Sequence, residues 1–299
     1  MFTLHIDSGN SMRGGQWQAL YLIRGLAVAG TRVRLLAPHD SPLLATAIAD
    51  GIDASPLTLA SIPSAISGVD LIHAHDARAH SLSTATGKPL LVSRRVAFPV
   101  RRGLASRWKY GRAAHYIAVS KCVRQRLLDA GIALDRISVV YDGVEAGPEP
   151  PPLEGRTLIV ALDSDDPGKG KDIVEKAAHV AKIPVHFSRN LTDDLPRAAA
   201  FVYITDLEGL GSAALLAMAA GAPVLASRVG GLPEIVEDGV TGLLTSNRIG
   251  DVASGLQRLI TDRALAAQLA SAARARVVRD FTVERMVDET LRVYERILS

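Results

Sequence analysis

The sequence predicts an α/β protein made of two doubly wound parallel sheets, and three observations carry that expectation. Short apolar strands alternate with segments of helical periodicity along nearly all of the 299 residues. A chain of this length ordinarily forms about two domains. The proline cluster GPEPPPLEG at residues 147–155 cannot continue a helix or a central strand, and it divides the chain near its middle.

In the first half, Phe2 to Ile6 reads as a strand. The loop Asp7 to Gly15 leads into a helix over Gln16 to Ala29, whose Trp17, Leu20, Ile23, Leu26 and Ala27 recur at helical spacing before Gly30 stops it. Further strands are expected at Arg32 to Leu36, Leu71 to Ala74, Leu90 to Ser93, Tyr116 to Val119 and Ile137 to Tyr141. Helices are expected around Leu43 to Ala49, Arg102 to Tyr110 and Lys121 to Ala130. Beyond the prolines, strands are expected at Thr157 to Leu162, Pro184 to Ser188, Phe201 to Thr205 and Val224 to Ser227. Helices are expected at Asp172 to Ala181, Asp193 to Ala200, Ile249 to Ile260 and Arg263 to Asp280. Thr282 offers a cap for a last helix, but Arg285 stands where a capping box wants Glu. The expected domains are residues 1–146 and 156–281, joined by 147–155 and followed by a terminal helix over 282–299.

Composition excludes disordered and fibrous classes, with 48% hydrophobic and 22% charged residues. The start, MFTLHID, carries an acid early and lacks the apolar core of a signal peptide. The longest mostly apolar run, Ala213 to Ala226, is broken by Gly221 and Pro223 and is too short to cross a bilayer. One cysteine, Cys122, excludes an internal disulfide and fits a reducing compartment. A cytoplasmic protein is expected, with contact at the inner face of the membrane left open.

Charge is uneven. The net charge is only +3, yet between Ala77 and Leu128 there are twelve Lys and Arg residues and no Asp or Glu, which leaves the remainder acidic. Arg94, Arg95, Arg101 and Arg102 lie in this tract. Such an excess implies an anionic partner. Nucleic acid is not expected, because no binding signature or aromatic stacking pattern accompanies the cations. An anionic acceptor or an anionic membrane leaflet remains, against a merely solvated basic face.

The most informative stretch is Glu208 to Leu244, EGLGSAALLAMAAGAPVLASRVGGLPEIVEDGVTGLL. Gly209 and Gly211 let the backbone approach a bound group, and the amides opening the helix behind them suit a phosphate. Glu208, at the same rim, suits sugar hydroxyls, which a carboxylate accepts well. After the strand at Val224, Gly230 and Gly231 form a second glycine-lined rim. Arg13, Gly14 and Gly15 stand between the first strand and helix, at the carboxyl end of a strand where open α/β sheets bind ligands. His73 and His75 share one strand face, but no third ligand with metal spacing accompanies them, so no metal site is expected. Their place at a strand end leaves His75 as a candidate anion or acceptor contact. Asp163, Ser164, Asp165 and Asp166 read as a solvated acidic loop, with cation binding the less favoured alternative.

These motifs resemble the donor-binding half of the family 4 retaining glycosyltransferases, which pair Glu-Gly-x-Gly with Met-Ala-x-Gly-x-Pro-Val and Gly-Gly-x-Pro-Glu-Ile-Val. Here the matching residues are Glu208 to Gly211, Met218 to Val224 and Gly230 to Val236. The resemblance implies the GT-B fold, two Rossmann-like domains facing across a cleft, with the last helix crossing back to the first. It also implies a nucleotide-sugar donor of UDP or GDP type, transfer with retention, and no metal or other cofactor. By the same resemblance Gly14 and Gly15 approach donor phosphates and acceptor, and Lys169 beside Gly170 neutralises the diphosphate. Arg95 takes the place of a histidine that touches the donor sugar and, like Arg94 and Arg13, suits an anionic group.

The chain departs from the family at three points. The family's second glutamate, which holds the ribose, is Leu216 here, either a core residue or a lost contact. The Gly-Arg before the family lysine is Ala161 and Leu162. Between Lys169 and Glu208 the second domain is short of a strand and helix. Two readings follow: a transferase acting on an anionic, lipid-linked or envelope-glycan acceptor, or a non-catalytic sugar- or polyanion-binding protein that keeps the fold.

Overall fold

The computed structural model describes residues 1–100 and 103–299. The chain divides into two compact units, Met1–Gly143 with Val283–Ser299, and Val144–Thr282.

The first unit contains strands β1 (Phe2–Ile6), β2 (Arg32–Ala37), β3 (Asp53–Pro56), β4 (Leu71–Ala74), β5 (Leu90–Arg94), β6 (His115–Ala118) and β7 (Ile137–Val139). Its helices are α1 (Gly14–Val28), α2 (Pro42–Ala49), α3 (Ser61–Ala65), α4 (Ala77–Ser83), α5 (Leu104–Arg112) and α6 (Lys121–Asp129). The strands form one sheet in the order β3-β2-β1-β4-β5-β6-β7, and every pairing is parallel. The order reverses between β1 and β4, so the loops after these two strands splay apart and open a crevice at their carboxyl ends. β1 and β4 are buried along their whole length because helices cover both faces.

The second unit contains β8 (Leu158–Leu162), β9 (His186–Ser188), β10 (Ala198–Tyr203), β11 (Val224–Ser227) and β12 (Leu243–Thr245). Its helices are α7 (Lys171–Ala181), α8 (Leu191–Asp194), α9 (Ser212–Ala219), α10 (Leu232–Ile235), α11 (Ile249–Thr261) and α12 (Arg263–Asp280). The parallel sheet runs β12-β11-β10-β8-β9, with its reversal between β8 and β10. The proline-rich segment is held on this unit by two arginines. Arg274 donates to the carbonyls of Gly147 at 3.1 Å and Pro148 at 2.9 Å, and Arg156 donates to those of Pro151 and Pro152.

The last helix, α13 (Val283–Leu298), packs into the first unit's core through Met286, Val287, Val293 and Tyr294. It lies against α1, where Gly25 leaves the needed space: a Cβ there would stand 2.4 Å from Val287 Cγ2.

One expected helix is corrected. Asp193 to Ala200 does not form two helical turns. Instead α8 ends at Asp194, a 3-10 turn spans Leu195–Arg197, and Ala198 opens β10. Pro196 cannot continue the helix. The helix preference of Ala198, Ala199 and Ala200 yields to burial, because small side chains let helices close on a central strand that is buried throughout. The strands β3 and β12 and the helices α3, α4 and α10 go beyond the sequence reading, the two strands being short pieces at sheet edges. Among the described residues no helix is long and apolar enough to cross a membrane.

Candidate functional site

In the second unit, chemistry gathers at the β8–β10 reversal. Lys169 lies on a 3-10 turn after β8, and Glu208 lies in the loop between β10 and α9. Lys169 Nζ donates to Glu208 Oε2 at 2.8 Å and to the Tyr203 hydroxyl at 3.3 Å. Tyr203, the last residue of β10, donates to the same Oε2 at 2.5 Å, and the Gly209 amide donates to Oε1 at 3.0 Å. The Lys169 and Glu208 side chains remain 25% and 15% exposed, so this ion pair is open to solvent and ligand. Burial, then the Glu208 charge, pushes the Tyr203 phenol well above its usual range, which keeps it a proton donor. In this unit the sequence does not single out Tyr203, whose signal is a hydroxyl ending an otherwise apolar strand.

The two glycine rims meet. A Cβ on Gly230, whose φ is +56°, would stand 1.9 Å from the Glu208 carbonyl oxygen, and one on Gly231 would stand 2.2 Å from that of Gly209. The Gly231 amide also donates to the Glu208 carbonyl at 3.1 Å. Gly211 begins α9 with φ +113°, tight against Leu232. At the other end of α9, Arg156 donates to the carbonyls of Ala220 at 3.1 Å and Gly221 at 3.2 Å, meeting the negative end of the helix with a cation. Leu216 lies on the partly exposed stripe of α9 with Ser212, Ala213 and Ala220, whereas Leu215 is buried. It is therefore partly exposed at the edge of the packed core.

The first unit holds a second cluster at its own reversal. Arg95, just after β5, donates from Nε to Asp142 Oδ1 and from Nη1 to His75 Nδ1, both at 3.2 Å. The Arg95 side chain lies along the first turn of α1, where a Cβ on Gly15 would be 3.8 Å from Arg95 Cδ. Gly14 and Gly15 open that helix, and first-turn amides lack intrahelical acceptors. Arg13 caps it with an exposed side chain. Asp7 and Asp76 organise the loops: Asp76 accepts from the Ser8 and Arg78 amides, and Asp7 accepts from Gly9 and Gln16. Burial raises the Asp7 carboxyl above its usual range.

His75 has more company than sequence spacing indicates. His5 of β1 supplies a third imidazole beside His73 and His75, correcting the expectation that no third ligand accompanies them, and one ligand atom from each lies within 4.8 Å of the others. All six ring nitrogens are nevertheless occupied by neighbours. His5 meets Thr3 and His75, His73 meets Tyr294 and Ser93 at 2.7 Å each, and His75 also meets Arg95. Arg94 turns to its own loop, donating to the Tyr110 hydroxyl at 3.0 Å and to the Phe98 carbonyl. Arg101 and Arg102 lie outside the described residues. A cavity of about 130 Å³ at the carboxyl ends of the first unit's strands is lined by Ser8, Asn10, Thr58 and Arg78 together with apolar side chains. A wider, open hollow of about 510 Å³ beside α7 and β9 carries none of these groups.

Two family descriptions match the chain, Glycosyltransferase Family 4 over residues 12–147 and Glycosyl transferases group 1 over residues 171–276. The chain is 34% identical over 116 residues to alpha-maltose-1-phosphate synthase of Mycobacterium tuberculosis, covering 36% of this chain and 30% of that protein. It is 38% identical over 133 residues to D-inositol 3-phosphate glycosyltransferase of Nocardiopsis dassonvillei, covering 43% of this chain and 31% of the other. The matched segment thus spans about a third of these relatives' length. Among solved structures, HepE of Anabaena in complex with UDP and glucose superposes with a TM-score of 0.85 at 17% identity, over 99% of this chain and 100% of that one. The fold is GT-B.

Proposed function

Because the chain belongs to the family 4 glycosyltransferases, we propose that it moves a sugar, with retention, from a UDP- or GDP-sugar donor to an anionic acceptor. One observation carries this reading: the solvent-accessible Lys169–Glu208 pair, braced by Tyr203 and set against the Gly230–Gly231 rim. Lys169 supplies the cation for the leaving diphosphate, and the amides opening α9 add partial positive charge. Glu208 keeps lone pairs free for sugar hydroxyls. Stabilising charge on the leaving group in this way is electrostatic catalysis and needs no protein nucleophile. The UDP and UDP-glucose complexes of HepE support a nucleotide-sugar donor.

The first unit supports the acceptor half. Gly14 and Gly15 amides, Arg95 and Arg13 offer donors to an anionic group. An anionic membrane surface suits α5, none of whose residues is buried. Leu104 and Trp108, four residues apart on that helix, are 85% and 59% exposed, and Arg107, Lys109 and Arg112 surround them. This pairing of apolar and cationic side chains is that of an interfacial helix, and it supports a lipid-linked acceptor and an inner-leaflet location.

Leu216 and Leu162 favour the alternative, a protein that binds sugar or polyanion without turnover. A thermal-shift screen of UDP- and GDP-sugars separates the two readings when paired with product analysis. The transferase reading expects one donor to raise the melting temperature and to be consumed, since a ligand at a hundred times its Kd stabilises by about 2.7 kcal/mol. Stabilisation without consumption in the presence of acceptor extracts selects the alternative.

A further inference from the structure

A continuous hydrogen-bond chain runs inward from Arg95 through His75 and His5 to Thr3. We infer that His5 and Thr3 are positioning residues that hold Arg95, through His75, in a fixed plane for an anionic oxygen. The inference rests on the reading of Arg95 as an acceptor-side contact and deepens it.

The direction of the chain follows from donor chemistry. A guanidinium has no acceptor, so Arg95 Nη1 donates to His75 Nδ1 at 3.2 Å and that nitrogen carries no proton. His75 is then protonated on Nε2, which stands 3.0 Å from His5 Nδ1 and donates to it. His5 in turn is protonated on Nε2 and donates to Thr3 Oγ1 at 3.1 Å. One tautomer at each ring satisfies every step. The opposite tautomer, or a doubly protonated His75, would set N–H against N–H at Arg95.

The setting makes the chain rigid. Thr3 and His5 are fully buried on β1, and His75 is buried just after the neighbouring strand β4. The His5 and His75 rings lie edge to edge and nearly coplanar, with centroids 5.3 Å apart and planes 13° from parallel. Asp142 fixes the guanidinium at a second corner through Nε. Two of Arg95's five N–H groups are thereby used, and the other three have no partner among the described residues. A planar donor held at two corners loses little rotational freedom when a phosphate or carboxylate arrives, so binding is stronger than to a free arginine. The same arrangement tells against a metal among the three imidazoles, since a cation there would displace these hydrogen bonds beside a fixed guanidinium.

Nitrogen NMR of the full chain at neutral pH, with labelled histidine and arginine, tests this directly. His5 and His75 are expected to be protonated on Nε2 alone, and a proton on Nδ1 of either ring overturns the chain. Titration with inorganic phosphate, followed at the Arg95 Nε–H signal, tests its consequence. His5→Leu is expected to weaken phosphate binding about tenfold and to speed Arg95 Nε–H exchange, as loss of one positioned contact of about 1.4 kcal/mol implies. His5→Gln, whose amide oxygen accepts from His75 Nε2, is expected to restore both. Should His5→Leu fail to fold, Thr3→Val carries the same expectation. Unchanged phosphate affinity and exchange in a folded variant overturns the positioning role. Absence of any phosphate response at Arg95 in the natural protein overturns the anionic target. Neither measurement depends on sugar transfer, so failure here is distinct from failure of the transferase reading.

Discussion

Lys169 Nζ and Glu208 Oε2 stand 2.8 Å apart, and the Tyr203 hydroxyl donates to the same oxygen at 2.5 Å. Glu208 therefore sets where the lysine charge sits as well as offering lone pairs of its own. Glu208→Gln is expected to abolish donor turnover at a modest loss of stability, because the amide oxygen still accepts from Tyr203 while its NH2 replaces the oxygen that accepts from the Gly209 amide, and the charge that holds Lys169 is gone. Tyr203→Phe is expected to lower stability by about 1.5 kcal/mol, the lower end for a hydrogen bond to a charged group, given that the carboxylate is partly hydrated. Thermal unfolding and donor consumption check both, and normal turnover by the Gln variant would refute the assignment of Glu208.

Leu216 stands where the family carries its ribose-holding glutamate, on the partly exposed stripe of α9. Loss of a charged partner for two hydroxyls weakens binding by about 1.5–3 kcal/mol. The natural protein is expected to bind free UDP and GDP feebly, and Leu216→Glu is expected to strengthen binding at an unchanged melting temperature. Calorimetric titration decides this. Tight binding by the natural protein would show that another group holds the ribose.

Acid should loosen the first unit. Burial lowers His5 to about 3 and His80 to about 4, and burial also lowers His73, His75 and His115. His5, His73, His75 and His80 stay neutral when folded until the pH nears their lowered values, but bind protons below about pH 6.5 when unfolded. The unfolded state thus takes up more protons as pH falls, and stability present above pH 6.5 is lost progressively toward the folded values of about 4 and 3. Denaturant unfolding between pH 8 and 4, at pH steps of about one, is expected to show a plateau above 6.5 and a steep fall beneath it. His80→Phe should flatten the fall. A flat profile down to pH 4 would contradict the buried neutral state.

The exposed Leu104 and Trp108 among the cations of α5 lead to a second binding expectation. Anionic liposomes should bind the protein at low salt and release it toward physiological salt, where exposed charges are screened over about 8 Å. Trp108→Ser should weaken binding at every salt concentration, while Arg107→Ser should flatten the salt dependence. Equal binding to neutral vesicles, or none to either, would leave only a soluble anionic acceptor.

Much of this was legible in the sequence because the period-two and helical patterns are local. The fold class follows from alternating strands and helices, and the glycine rims follow from motifs in which backbone approach demands glycine. The structure gives Gly230 and Gly231 a packing reason of their own: a side chain at either would collide with the backbone of Glu208 and Gly209, so these two glycines let one loop close on the other. What the sequence conceals is side-chain company created by topology. His5 joins His75 because β1 pairs with β4, 70 residues on, and Tyr294 reaches His73 across 221 residues. Lys169 and Glu208 are 39 residues apart, and nothing in their spacing marks them as a pair. Ala198 to Ala200 mislead in the other direction, since a local helix preference is outweighed by burial in a central strand.

The most direct test of the account is release of nucleoside diphosphate from a panel of UDP- and GDP-sugars, comparing the natural protein with Lys169→Met. One donor is expected to be turned over with retained anomeric configuration in the product. Lys169→Met is expected to lower the rate at least about a hundredfold, the scale for losing one group that stabilises developing charge, with the fold intact. Equal turnover by the Lys169→Met variant would contradict the placement of the donor phosphates, and no turnover of any donor by the folded natural protein would contradict the transferase reading itself.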